Sequence, residues 1–216
     1  GDIPNLSEIG TVIVEPIQGR GGIRVPPAGW LQELADKTRA AGAVLVFDEV
    51  YTGFGRTGDW FAFQHEAVRP DILVVGKGMA GGFPISAAIG TAEAMDAWGA
   101  SAGEALHTQT FLGNPVGCAM AIACIDEIDR ILPTVKETSE WFCGVLRDRG
   151  HRVRGRGLML GIEIDNALSL SRALLREGFI VLPAGERAEV LSVTPPLTPA
   201  DAQLMAFLDA LERVSS

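Results

Sequence analysis

Charged side chains follow three apolar stretches of this sequence. Glu15 comes directly after TVIV, Asp48 and Glu49 come after VLVF, and Lys77 comes after ILVVG. If these stretches are strands of an open α/β sheet, the residues beyond their carboxyl ends gather at one edge, where such folds bind ligands. The pattern predicts two or more acids and a lysine at one site.

Lys77 has three interpretations. It is flanked by Gly76 and Gly78, and the first interpretation is a surface turn with the ammonium in water. The second is nucleotide binding, because GKGMAG (76–81) fits G-x-G-x-x-G. That motif requires a following helix, whereas PISAAIG (84–90) indicates another strand. The third is a desolvated lysine whose amine forms a Schiff base.

Acids and a lysine at neighbouring strand ends suit a pyridine cofactor with an aldehyde. A buried carboxylate keeps the ring nitrogen protonated, and an amine holds the aldehyde. The glycines beside Lys77 would let the backbone approach a flat ring without a Cβ clash.

The elements that must position these residues alternate between strands and helices. Uninterrupted β-branched runs are typical of a parallel sheet covered on both faces. We predict a long helix with Asn114 as its N-cap and Pro115 at its first position. The predicted strands are 11–17, 43–50 and 71–76, and the predicted helices are 27–42 and 114–132.

After Pro133 the pattern changes to a compact α+β unit. Its predicted strands are 157–164, 179–185 and 189–196, and its predicted helices are 167–178 and 199–214, after a mixed helix to about Arg149. We therefore expect a large domain at 1–132 and a small C-terminal domain at 133–216. The chain opens almost directly on a strand without Met, so we expect an N-terminal portion of the large domain to be missing.

Composition narrows the function classes. The chain has 216 residues and a formal net charge of −9, which argues against nucleic acid or an anionic membrane as a partner. No apolar run reaches the roughly 18 residues that span a bilayer. The cysteines, Cys118, Cys124 and Cys143, have neither CxxC nor zinc spacing, so no metal site is indicated and a reduced, cytoplasmic protein is expected.

Four motifs resemble the class III aminotransferases of the ornithine, GABA and ω-amino acid type. They are VIVEPIQGRGG, VLVFDEVYTGFGRTG, PDILVVGKGMAGGFPISA and HTQTFLGNPVGCAMA, supported by RGRGLMLGIEI and VTPPLT nearer the C-terminus. The resemblance implies pyridoxal-phosphate enzymes of fold type I: part of a large, mostly parallel α/β/α domain followed by a small α+β domain.

The resemblance also implies residue roles. Lys77 is the expected Schiff-base lysine, and Asp48 pairs with the pyridinium nitrogen. Val50 packs on one face of the ring. Thr110 reaches the phosphate of the partner subunit's cofactor, which predicts a homodimer. Glu15 lies near the cofactor, or alternatively holds only local backbone amides.

Three positions depart from the ornithine and GABA pattern. Tyr51 stands where many relatives have a Gln bonded to the cofactor's phenolic oxygen. Arg20 and Ser192 replace a Glu and an Arg that together open or close a carboxylate site. Their joint replacement predicts altered substrate use, because losing only one would leave a buried charge unpaired.

The predicted function is ping-pong transfer of an amino group between an amino donor and a ketone or aldehyde, not of the ornithine or acetylornithine type. The alternatives are an aminomutase, racemase or decarboxylase of the same fold, or a non-catalytic fragment or partner subunit. The absence of the relatives' Ser-Gly-Thr phosphate turn from these 216 residues counts for the last alternative, and the intact Lys77, Asp48 and Thr110 count against it.

Overall fold

Two β-sheets organise the part of the chain that the structure, a computed structural model, describes: residues 2–103, 107 and 109–215. Within these residues each sheet has four strands. Within the same residues, no helix has both the length and the apolar character that crossing a membrane requires.

The first sheet has the strand order β1-β2-β3-β4. Its first three strands are parallel, and β4 runs antiparallel to β3. A parallel neighbour would need a crossover of about a dozen residues or more, usually with a helix, and the link from β3 to β4 is shorter. The strands are β1 (Thr11–Val14), β2 (Val44–Asp48), β3 (Ile72–Val75) and β4 (Ala87–Gly90).

Helix α1 (Trp30–Ala40) covers one face of this sheet. Its Leu31 and Leu34 pack in one cluster with Leu45 and Phe47 of β2. Burying each leucine stabilises the fold by about 1.5–3 kcal/mol. The helix begins later than predicted because Gly29 takes a left-handed conformation at its N-cap, with φ of 82°.

The opposite face of the same sheet is more open. Side chains alternate between faces along a strand, so Ile13, Val46 and Ile72, which pair across β1, β2 and β3, share this second face. Among the described residues these three belong to no hydrophobic cluster. The Ile13 side chain is 70% exposed, and Ile89 of edge strand β4 is 55% exposed on the other face.

The second sheet is antiparallel, with the strand order β5-β6-β8-β7. Its strands are β5 (Val153–Arg156), β6 (Met159–Glu163), β7 (Leu182–Ala184) and β8 (Val190–Val193). Sequence patterning missed β5 because its segment, VRGR, is short and polar. The sheet shares one core with the helices α4 (Ala167–Arg176) and α5 (Asp201–Ser215).

One helix, α3 (Pro115–Asp148), connects the two sheets after the short helix α2 (Ala92–Asp96). The predicted cap is confirmed: Asn114 Oδ1 accepts hydrogen bonds from the backbone N–H groups of Val116 and Gly117. The predicted end at residue 132 is wrong, because α3 continues through Pro133. The predicted domain boundary near Leu132 therefore falls inside a helix, and the division into 1–132 and 133–216 stays a prediction.

Candidate active site

Asp48 and Lys77 lie at the same edge of the first sheet. Asp48 ends β2, and Lys77 follows β3 after one glycine. The two strands are parallel neighbours, with Asp48 opposite Val74. Because adjacent strands are about 4.8 Å apart, the carboxylate and the amine emerge close to each other, as the sequence predicts.

The backbone of Lys77 has a positive φ of 33°, which is rare for a residue with a side chain. Such a conformation costs of the order of 1–3 kcal/mol and persists where the surroundings impose it, often at functional sites. Lys77 begins a four-residue 3₁₀ turn, Lys77–Ala80, in which the Met79 N–H donates to the Gly76 carbonyl at 2.8 Å. A short turn followed by β4 contradicts the dinucleotide-binding interpretation, which requires a helix here.

The Lys77 side chain is exposed. The described residues therefore do not supply the desolvation that the third interpretation of this lysine invoked. Its amine is accessible for reaction with an aldehyde.

The two flanking glycines have different packing environments. A Cβ on Gly78 would lie 3.2 Å from Cβ of Phe54, closer than side chains normally pack. A Cβ on Gly76 would meet Val50 Cγ1 at 3.7 Å, an ordinary contact. The loop after β2 thus packs directly against the lysine turn, and Val50 lies beside the backbone that carries Lys77.

The adjacent acids after β2 have separate roles. Asp48 is half-buried, and its Oδ1 accepts a hydrogen bond from the Val50 N–H at 3.0 Å. Glu49 is 1% exposed and accepts bonds from the Ala62 N–H, the Phe63 N–H and the Thr52 hydroxyl.

Burial raises the pKa of Glu49 above its ordinary value, although those three hydrogen bonds oppose the increase. The three hydrogen bonds of Glu49 are therefore structural and fix the loop after β2. Of these two adjacent acids, Asp48 is the one available to bind a ligand.

Tyr51 connects several predicted site residues. The Lys77 Nζ atom lies 4.5 Å from the centroid of the Tyr51 ring, within cation–π range. The Tyr51 hydroxyl lies 3.5 Å from Oγ of Ser192 on β8. The Tyr51 ring also lies against the backbone of Gly19. A Cβ at this position would clash with the ring, so the close approach requires glycine. Sequence reasoning placed Tyr51 at the cofactor but missed its contact with Ser192.

Glu15 makes a local contact: its Oε2 accepts a hydrogen bond from the Gly19 N–H at 2.8 Å. That bond matches the alternative in which Glu15 holds backbone amides, and a role at the cofactor stays a prediction. The Arg20 side chain is exposed, and its carbonyl accepts a bond from the Gly185 N–H at 3.0 Å. Ser192 contacts Tyr51, and the backbone of Arg20 lies beside Gly185, just after the end of β7.

Thr110 lies in an exposed turn just before α3, and Thr108 of the same motif lies outside the described residues. Next to it, Phe111 and Leu112 are 76% and 61% exposed. Exposed apolar side chains in a contiguous patch are typical of an interaction surface. The geometry is compatible with the predicted contact between Thr110 and a partner subunit.

Arg56 joins the loop after Asp48 to the second sheet. Its Nη1 donates to the carbonyls of Leu158, at 3.1 Å, and Pro195, at 2.6 Å. Burial lowers the pKa of Arg56 from its ordinary value, and the two carbonyl acceptors offset part of the cost of burying the guanidinium. These bonds give Arg56 a structural role between the loop and the second sheet.

The model of the class III aminotransferase family matches residues 5–214. The chain belongs to the class III aminotransferase family. It is 40% identical over 211 residues to the acetylornithine aminotransferase of Streptomyces coelicolor, covering 94% of this chain and 52% of that protein. The chain thus spans about half the length of the curated relatives it matches.

Solved structures of aminotransferases have the same fold. An aminotransferase from Bacillus anthracis superposes with a TM-score of 0.87 at 29% identity, covering 96% of this chain and 53% of that one. An (S)-enantioselective ω-transaminase from Thermomicrobium roseum gives a TM-score of 0.81 at 30% identity, covering 93% and 49%. The predicted α/β architecture of fold type I is confirmed.

Class III aminotransferases depend on pyridoxal phosphate, and the residues at this sheet edge fit that cofactor. An accessible amine at Lys77 suits the aldehyde, and the Asp48 carboxylate on the neighbouring strand suits the ring nitrogen. Val50, packed beside Gly76, offers a stiff apolar side chain for a ring face.

Proposed function

We propose that the protein is a pyridoxal-phosphate-dependent aminotransferase that moves an amino group from a donor to a ketone or aldehyde in two half-reactions. One observation carries the proposal: Asp48 ends β2 and Lys77 follows the neighbouring parallel strand β3, so that both lie at one sheet edge. Membership of the class III family supports it.

Bound pyridoxal phosphate supplies an electron sink for the negative charge that develops at the substrate carbon. Lys77 Nζ would hold the cofactor through its aldehyde. The same amine would serve as the base that moves the proton of the substrate carbon bearing the amino group. Asp48 holds a proton on the ring nitrogen, and its bond to the Val50 N–H fixes its orientation.

Other residues complete the proposed site. Tyr51 would offer its hydroxyl to the ring's phenolic oxygen, and Glu15 orders the turn that carries Gly19. Thr110 contributes to the phosphate site of a partner subunit in a homodimer. The homodimer and a cytoplasmic location are predictions of the same proposal.

With Ser192 in the site, we expect amino donors that have no carboxylate to be bound at this position. A serine hydroxyl cannot neutralise a carboxylate, and the Arg20 side chain is exposed. Arg20 then faces either the far end of a longer substrate or solvent. The similarity to an ω-transaminase supports an amine donor. The similarity to an acetylornithine aminotransferase supports the rival, an α-carboxylate donor.

The cofactor link is testable because the chain has only three lysines, Lys37, Lys77 and Lys136. The protein is incubated with pyridoxal phosphate, reduced with borohydride and mapped by mass spectrometry. We expect the adduct on Lys77, its loss in Lys77→Ala, and its retention in the matched surface variants Lys37→Ala and Lys136→Ala. Equal labelling of all three lysines would contradict the proposal.

Turnover separates the remaining functions. Amino transfer from an amine to pyruvate or 2-oxoglutarate, absent in Lys77→Ala, supports the aminotransferase. An adduct on Lys77 with racemisation, decarboxylation or amino migration instead supports the other enzymes of this fold. An adduct with no turnover of any kind supports the non-catalytic subunit. Acetylornithine or ornithine as the best donor would overturn the prediction about substrate type.

A further inference from the structure

A histidine joins two points of the loop that follows Asp48. His65 Nδ1 lies 3.0 Å from Asp59 Oδ2, and His65 Nε2 lies 3.1 Å from Thr57 Oγ1. The His65 side chain is 14% exposed and Thr57 is 2% exposed, so the ring is largely enclosed and both of its nitrogens have protein partners. We call this arrangement the Asp59–His65–Thr57 bridge.

The two partners fix the position of the ring proton. An ionised Asp59 carboxylate only accepts hydrogen bonds, so Nδ1 carries the hydrogen of the neutral ring. Nε2 is then the acceptor, and the Thr57 hydroxyl donates to it. A proton added to Nε2 removes this acceptor, and the buried hydroxyl loses its bond to the ring.

Thr57 belongs to a contact between the two sheets. A Cβ on Gly157, in the turn between β5 and β6, would clash with the backbone of Thr57 and Gly58. Beside it the Leu158 N–H donates to the Arg56 carbonyl at 3.0 Å. The loop and the turn thus meet backbone against backbone, and we call this contact the junction. The Asp59–His65–Thr57 bridge supports the junction from the loop side.

Charged groups from three elements face the His65 ring. Asp59 comes from the loop itself and Arg156 from the end of β5. Lys136 and Glu140 come from α3, and all four line one cleft with His65. The cleft provides a route by which a proton reaches the ring.

The surroundings of His65 favour its neutral form. Burial lowers the pKa of His65 below its ordinary value, and the positive charge of Arg156 lowers it further. Asp59 and the Thr57 backbone oppose the decrease, and Lys136 adds a smaller decrease. The folded protein therefore prefers the neutral ring, which is the form that the bridge requires.

We propose that the Asp59–His65–Thr57 bridge is a pH-sensitive device that holds the junction while His65 is neutral and loosens it when His65 is protonated. Because the pKa of His65 is lower in the folded than in the unfolded chain, this stabilisation is present above about pH 6.5. It is lost as pH falls through the lowered pKa. The inference does not depend on the proposed aminotransferase function.

The same loop reaches the candidate active site. A Cβ on Gly78 would lie 3.2 Å from Cβ of Phe54, so Phe54 packs directly on the turn that begins with Lys77. Phe54 is two residues before Arg56, whose carbonyl accepts the bond of the junction. Loosening of the junction therefore frees one end of the loop that packs on the lysine turn.

An NMR titration tests the bridge. The chain has three histidines, so the signal of the His65 ring is assigned by its loss in His65→Gln. We expect its midpoint in the folded protein to lie below its midpoint in the urea-unfolded chain. Thr57→Val keeps the branched shape but removes the donor to the neutral ring, so it should raise the midpoint by about 0.4–1 pH unit. Thr57→Ser keeps the hydroxyl and is the matched control.

Two results of this titration would overturn the bridge. The first is a folded-state midpoint at or above that of the unfolded chain. The second is an equal change in Thr57→Val and Thr57→Ser, because the hydroxyl would then have no effect on the ring.

Hydrogen exchange tests the loosening of the junction. The Leu158 amide crosses the junction, and the Ile164 amide, which donates to the Glu189 carbonyl at 3.1 Å, is the reference. After correction for the intrinsic effect of pH, protection of Leu158 relative to Ile164 should fall by about twofold to tenfold as His65 is protonated. It should stay constant over the same pH range in His65→Gln. A constant ratio in the wild type, or an equal fall in His65→Gln, would refute the proposal.

Arg156→Ala provides a second test that does not require His65→Gln to fold. Removing the positive charge that faces the ring should raise the midpoint of His65. The pH at which Leu158 protection falls should rise by the same amount. A raised midpoint without this matching change in Leu158 protection would show that the ring does not control the junction.

Discussion

In the antiparallel sheet, Leu160, Ile162, Leu191 and Val193 are at most 4% exposed, and α4 and α5 share their core. In the mostly parallel sheet, Ile13 and Ile89 are 70% and 55% exposed. One sheet is thus packed as an interior by the described residues, and the other retains open apolar surface.

The reactive residues lie with the open sheet. Asp48, Lys77 and Thr110 all come from this part of the chain, whereas the packed sheet contributes Ser192. Large exposed apolar side chains on a strand usually mark a surface that another structure covers. The difference implies that the open face of the first sheet contributes less to stability than the packed sheet does, and that the chemistry lies mainly at the first sheet.

The most direct test of this difference in stability is to remove one large side chain from each region. Phe142→Ala empties a fully buried position in the core of the packed sheet and should cost about 3–5 kcal/mol of unfolding free energy. Ile13→Ala removes an exposed side chain and should change it by no more than about 0.5 kcal/mol in the isolated chain. Denaturant unfolding measures both, and equal costs would refute the contrast.

Asp48→Asn should separate chemistry from stability. A neutral amide does not hold a proton on a pyridine nitrogen, so kcat should fall by about 10²–10³-fold. Tm should remain close to that of the wild type, because Asp48 makes one local hydrogen bond at the half-buried strand end. A loss in kcat below about threefold would mean that another residue holds the ring nitrogen.

Thr110→Ala tests whether the open region is completed by a second subunit. If Thr110 bonds the partner's cofactor phosphate, the variant should weaken cofactor affinity by roughly 1.5–3 kcal/mol. Cofactor titration with analytical ultracentrifugation measures affinity and oligomeric state together. Unchanged affinity in a confirmed dimer would remove Thr110 from the site.

The smallest expected effect concerns the pH dependence of stability. Because burial raises the pKa of Glu49, the folded state retains a proton that the unfolded state has lost. Stability from this group is therefore present at low pH and falls as pH rises from near 4.5 through the raised pKa. The stability difference between wild type and Glu49→Gln should decrease across this window, and a rising difference would reverse the sign of the shift.

Local patterning predicted much of the fold. Continuous apolar runs predicted β1, β2 and β3. Because parallel strands end at the same sheet edge, the placement of Asp48 and Lys77 at one edge followed from the direction of the chain. Asn114 and Pro115 marked the start of α3 because capping is a local property. The fold type and the role expected of Thr110 came from the family resemblance.

Tertiary contacts decided what patterning missed. Pro133 ordinarily ends or kinks a helix, but Ile128 and Val135 are buried on either side of it and the helix continues. The 3.5 Å contact between Tyr51 and Ser192 has no trace in local sequence. The sequence predicts Glu49 as a second acid of the site, whereas the structure shows that it accepts three hydrogen bonds within the protein.

The continuous α3 has a mechanical consequence. Pro133 divides it into arms of 18 and 16 residues, Pro115–Leu132 and Pro133–Asp148, each roughly 25 Å long. The two sheets are therefore connected by a rigid helix rather than by a flexible linker. Movement of one sheet relative to the other along this connection has to bend α3, most easily at Pro133. Since the arms are nearly equal, an angular change there displaces the two ends of the helix, Pro115 and Asp148, by similar amounts.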